Sequence, residues 1–97
     1  MAKVVPRGTT QEQRVELRLL CEAIKEATPP LQSVDSFVSI SPADDFSCVA
    51  ITTADSDTVY GCRATIAEAR DILQRLGRVR GRASVTLRDL NNILGAK

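Results

Sequence analysis

The chain has 97 residues, 43% of them apolar and only three aromatic (Phe37, Phe46, Tyr60), so it holds one modest aliphatic core and no lobed catalytic cleft. With no His and three widely spaced cysteines (Cys21, Cys48, Cys62), neither a zinc site, a disulfide framework nor a His-activated thiol is expected. The net charge of +1 is far from a strongly basic nucleic-acid footprint, yet it is sorted: residues 29–61 carry five acids and no base, residues 62–97 eight bases and three acids.

Residues 1–9 read as an N-terminal tail, broken by Pro6 and Gly8. The tail has no long apolar run, so no secretion signal is expected. No stretch approaches the roughly 18 apolar residues of a membrane span, so no membrane association is expected. Together with the odd cysteine count, this implies a reducing, intracellular compartment, cytoplasm or nucleus. Residues 10–97 read as a single domain.

Thr10 with Gln13 is a capping-box signature for a first helix, which Pro29-Pro30 stops. Leu17, Leu20, Cys21, Ile24 and Ala27 form its buried stripe. Val15 and Leu19 point the other way, among Glu12, Glu22 and Glu26, and are candidates for a protein interface.

The period then changes from helical to alternating. Val34–Ser41, Phe46–Ala54 and Thr58–Cys62 read as three strands joined by the turns 42–45 and 55–57, an antiparallel meander. If Ser41 opposes Phe46, and Ala54 opposes Thr58, the faces separate. Val38, Ile40, Val49, Ile51 and Val59 share an aliphatic side. Phe37, Ser39, Ser41, Phe46, Cys48, Ala50, Thr52, Thr58, Tyr60 and Cys62 share the other. Phe37, Phe46 and Tyr60 thus become candidate interface residues, or a platform on which unpaired bases stack.

Thr65 with Glu68 starts a second helix, with the stripe Ile66, Ala69, Ile72, Leu73, Leu76 and Gly77 at its end. Residues 78–86 form a basic connector. Thr86 then opens a short last helix over 87–94, ended by Gly95 and carrying Leu87, Leu90, Ile93 and Leu94. That stripe is expected to cap an edge of the core, cover the aromatic face or reach a neighbouring chain. The predicted fold is α+β: a two-layer α-β-β-β-α domain with a three-stranded antiparallel meander, plus a short C-terminal helix.

Arg75, Arg78, Arg80, Arg82 and Arg88 are the candidate site for nucleic acid or an acidic partner. If 78–82 is extended, Arg78, Arg80 and Arg82 project to one side ~6.6 Å apart, a spacing suited to successive phosphates. The paired acids Asp44-Asp45 and Asp55/Asp57 sit in turns, where Asp bonds its own backbone, so neither a metal nor a catalytic carboxylate pair is expected. No cofactor or small-molecule substrate is indicated.

The helix, three strands, helix order resembles the double-stranded-RNA-binding domain over about residues 11–76, and is similar to the small signal-recognition-particle Alu-domain proteins. Phe46-Ser-Cys-Val-Ala-Ile resembles the former's second strand, and Gly61-Cys-Arg-Ala-Thr-Ile-Ala-Glu-Ala the approach to its second helix. That family grips phosphate with a Lys pair at the start of helix 2, where this chain has Ile66-Ala67. None of its RNA-binding residues is therefore carried over, and the likeness implies topology alone.

The function expected from these features is that of a small non-enzymatic protein–protein interaction subunit working within a larger complex, through self-association or a protein partner. The alternative is a nucleic-acid-binding module, RNA or DNA, that contacts phosphates through the arginine cluster of residues 75–88.

Overall fold

The computed structural model describes residues 10–95, so the tail read over residues 1–9 lies outside the described residues. Helix α1 spans Gln11–Ala27, strands β1, β2 and β3 span Phe37–Pro42, Val49–Ala54 and Val59–Ala64, helix α2 spans Ile66–Leu76 and helix α3 spans Leu87–Leu94. The strands form an antiparallel sheet in the order β1-β2-β3, so the fold is the expected α+β meander with helices before and after.

Local chemistry sets the helix ends. Gln13 N–H donates to Thr10 Oγ1 at 3.1 Å and Thr10 N–H donates to Gln13 Oε1 at 2.8 Å. Thr65 and Glu68 exchange the same two bonds, at 2.9 and 3.1 Å. Each box satisfies two N–H groups that a helix start leaves orphaned. At the end of α1 the Thr28 hydroxyl donates to the Ile24 carbonyl at 2.6 Å, and Pro29 follows. Gly95 ends α3 in the left-handed region at φ 78°, where a side chain would be strained. Gly77 does not play that part. It stays right-handed, and the chain runs on through a single 3-10 turn, Gly77–Val79.

The register differs from the expected one at both hairpins. Ser41 faces Ala50, not Phe46. Pro42 extends β1 instead of turning, and the reversal occupies residues 43–48, closed by Ala43 N–H to the Cys48 carbonyl at 2.9 Å. A four-residue shift is even, so each β1 and β2 side chain keeps its face. At the second hairpin Ala54 faces Val59, not Thr58. The Asp55 carboxylate accepts N–H bonds from Asp57 and Thr58, both at 2.8 Å, and Asp55 N–H donates to the Thr58 carbonyl at 3.0 Å. This turn holds one residue more than a 55–57 turn, so β3 exchanges faces. Tyr60, Cys62 and Ala64 turn inward and Val59 turns outward.

All three helices lie on the inner face. Leu17, Leu20, Cys21 and Ile24 of α1, Ala69, Ile72 and Leu76 of α2, and Leu90 and Leu94 of α3 join Ile40, Val49, Ile51 and Ala64 in one core. Helices α1 and α2 run parallel: Arg70 pairs with Glu16 near their starts, and Ala23 and Ala27 share a hollow with Leu73 and Leu76 near their ends. Helix α3 sits over β2 and β3. The fully buried Thr53 hydroxyl donates to Asn91 Oδ1 at 2.5 Å, and Cys62 Sγ approaches the Leu94 carbonyl at 3.8 Å. The last helix therefore closes this chain's own core, and its stripe is spent there. Val85, at the end of the basic connector, bridges to Leu31 through Val85 N–H to the Pro30 carbonyl and Gln32 N–H to the Val85 carbonyl, both at 2.9 Å.

Candidate functional site

The five arginines do not form the expected comb. Residues 78–82 are not extended: Arg78 lies in the 3-10 turn, Val79 is buried, and Gly81 turns the chain at φ 87° between Arg80 and Arg82. Arg75 pairs with Asp71 and donates to the Ile93 carbonyl at 3.3 Å, which fastens α2 to α3. Arg88 is carried separately on α3. Only Arg80 and Arg82 converge, on a hollow of about 570 Å³ shared with Glu26, Ala27, Leu73 and Gly77. The C-terminal ends of α1 and α2 meet there, and their carbonyls present partial negative charge that arginines complement. Among the described residues no ion pair holds Arg78, Arg80, Arg82 or Arg88.

The three aromatics do not share a face either. Tyr60 lies half-buried on the inner side. Phe46 leaves the sheet altogether: it adopts φ 58° in the first reversal and lies beneath Arg14 and Arg18, whose guanidinium carbons stand 5.2 and 5.3 Å from the ring centre. Arg14 and Arg18 are one helical turn apart, so they cover the ring together. Phe37 alone stays on the outer face.

Among the described residues no helix lies on that outer face. Its cross-strand rows are Phe37–Ala54–Val59, Ser39–Thr52–Gly61 and Ser41–Ala50–Arg63. The second and third are small or polar. The first is apolar, with Phe37 54% and Val59 71% exposed. Val15 and Leu19 are exposed on the ridge of α1 that points away from the core, as expected from their place off the stripe.

A surface not singled out in the sequence lies along β1. This strand is a sheet edge, and a groove of about 910 Å³ runs beside it, lined by Lys25 of α1, Pro29, Leu31 and Val34 of the connection, and Val38 and Ile40 of β1. Pro42 was the legible signal, because a proline inside a strand belongs at an edge.

Several acids and thiols are engaged in turns or buried. Asp35 joins Asp55 and Asp57 around a hollow of about 320 Å³, but Asp55 is already committed to its turn. Among the described residues no group of three potential ligands is placed so that it could hold a metal ion. Bonds from the Ser47 hydroxyl and N–H hold the Asp45 carboxyl below its ordinary value. Burial pushes the Cys21 and Cys62 thiols up, which disfavours the nucleophilic thiolate. No helix among the described residues is long and apolar enough to cross a membrane. No protein-family model, curated protein or solved structure matches the chain.

Proposed function

We propose that this chain is a non-enzymatic interaction subunit that works within a larger assembly and uses the helix-free face of its sheet as a contact surface. The observation that carries this reading is the apolar row on that face. Phe37 and Val59 flank the buried Ala54 and leave two apolar side chains of one cross-strand row in water. The face itself is small. Three strands of six residues cover roughly 300 Å², against about 800 Å² per partner in a standard interface. A stable contact therefore has to recruit a sheet edge as well.

Sedimentation velocity across a concentration series, alone and with any co-purifying protein, tests the reading. The expected result is a species heavier than the 10.5 kDa monomer that is lost in the double variant Phe37→Asp, Val59→Asp. Both side chains are exposed, so the variant is expected to keep its fold to within about 0.5 kcal/mol per site. A monomer at every concentration, with equal partner recovery by both proteins, contradicts the reading.

One observation favours nucleic acid as a second reading: Arg78, Arg80, Arg82 and Arg88 hold no ion pair among the described residues. It predicts weak, steeply salt-dependent oligonucleotide binding that disappears when Arg78, Arg80 and Arg82 become alanine. An unchanged anisotropy signal at low salt ends it.

A further inference from the structure

The free edge of β1 has three properties that together describe a ligand. The first is unpaired backbone. Pairs in an antiparallel ladder alternate between bonded and non-bonded. Ala43 and Cys48 are a bonded pair, so Ser41–Ala50, Ser39–Thr52 and Phe37–Ala54 are bonded pairs too. Val38 and Ile40 therefore point their N–H and C=O groups away from β2, and no hydrogen bond among the described residues uses them. Pro42 falls on the same outward phase, where its missing N–H costs the ladder nothing.

The second property is the lack of protection. Exposed edges are ordinarily blunted by charge, bulges or a covering element. The β1 sequence FVSISP holds no charge, and its partner register has no bulge. Among the described residues no strand or helix covers this edge, and the groove lies beside it, with Leu31, Val38 and Ile40 among its walls.

The third property is the sign of the overhang. Helix α1 packs over β1, and its flank toward α2 is marked by Glu16, Ala23 and Ala27. Its opposite flank carries Arg14, Arg18 and Lys25. The two arginines reach the reversal that follows β1, and Lys25 reaches the groove. These three bases lie along ~16 Å of helix, the length of about five residues of extended chain. Lys25 pairs with Glu22 at 3.5 Å, an exposed i, i+3 pair of the kind that water and salt weaken readily.

We propose that the β1 edge is a docking site for an extended, acidic segment of a partner protein, which adds to the sheet as a fourth strand beneath the basic flank of α1. This rests on the reading of the chain as an interaction subunit. Main-chain bonds to Val38 and Ile40 supply the pairing. Carboxylates on the helix side of the added strand meet Arg14, Arg18 and Lys25. Charge disfavours the other occupants. A second copy paired through β1 brings the same bases against themselves, and residues 1–9 carry Lys3 and Arg7 with no acid.

The test is fluorescence anisotropy with the full chain and a labelled probe of about ten residues in which Glu and Val alternate. Two control peptides alternate Lys with Val and Glu with Pro. The Glu/Val peptide is expected to bind at least about tenfold more tightly than either control, since one control loses the charge match and the other its N–H donors. Lys25→Glu with Arg18→Glu is expected to weaken it at least about tenfold. Val38→Pro does the same, because it removes an outward N–H and leaves the β1–β2 bonds in place. Amide exchange at Val38 and Ile40 slows when the peptide is bound.

Equal binding of the Lys/Val peptide overturns the proposal, as does no binding at about 1 mM or binding that leaves exchange at Val38 and Ile40 unchanged. Dimerisation abolished by Val38→Pro gives the edge to a second copy. Faster exchange at Val38 and Ile40 after removal of residues 1–9 gives it to the chain's own N-terminus. Either outcome also overturns the proposal. Val59→Asp lies on the far strand and is expected to leave peptide affinity within about twofold. A failed outer face and a failed edge are thereby distinguishable.

Discussion

Phe46 ties the first reversal to the first helix. A phenylalanine at φ 58° is strained, because its Cβ crowds the backbone there. The strain is offset by burying part of the ring against the core and by two stacked guanidinium groups, each contributing about 0.5–1 kcal/mol. Arg14 Nε is buried without a hydrogen-bond partner, so part of that gain is returned. Phe46→Ala removes the ring and keeps the strain. It is expected to cost about 2 kcal/mol by urea unfolding. A loss under about 0.5 kcal/mol would mean that the ring is not held by α1. None of this was legible in the sequence, where Phe46 reads as the first residue of a strand. Positive φ at this non-glycine residue has no local signature, and the contacts that hold the ring, with the core and with Arg14 and Arg18, come from residues distant in sequence.

At the scale of elements, legibility followed the range of the interaction. Both capping boxes could be read directly, because each lies within four residues. The strand faces needed a register, and the two hairpins differed in how that register is set. A four-residue error at the first left Val38, Ile40, Val49 and Ile51 together. A one-residue error at the second moved Tyr60 and Cys62 inward and put Val59 in water. Asp55 decides that second register by accepting both the Asp57 and Thr58 amides. Asp55→Ala is expected to destabilise the chain by about 1–2 kcal/mol and to raise exchange first at the Tyr60, Cys62 and Ala64 amides, which pair with β2. Uniform acceleration across all three strands would show that the turn does not hold β3. The arginine comb failed for a related reason. Gly77 does not stop the helical twist after α2, so Arg78 is spent in a 3-10 turn and only Arg80 and Arg82 come together.

For the whole molecule, charge sorted along the sequence does not stay sorted in space. The acidic middle divides between two ends of the sheet: Asp44 and Asp45 sit in one reversal, while Asp35, Asp55 and Asp57 gather at the other end. The end of the basic connector is bonded to the loop that carries Asp35, through Val85 and Gln32. The acidic block of the sequence is thus split, while Arg80 and Arg82 converge at the ends of α1 and α2 and Arg14, Arg18 and Lys25 lie on the α1 flank above β1.

What distinguishes the molecule is its one-sidedness. Among the described residues, helices α1, α2 and α3 cover the inner face of the sheet and no helix covers the outer one, where Phe37 and Val59 stand exposed. Hydrogen–deuterium exchange, comparing the associated with the isolated chain, tests most directly whether that face is used. Slowed exchange is expected to be confined to Phe37–Ser41 and Val59–Arg63, with residues 78–88 unchanged. Protection centred on residues 78–88, with the sheet amides unaffected, would contradict it.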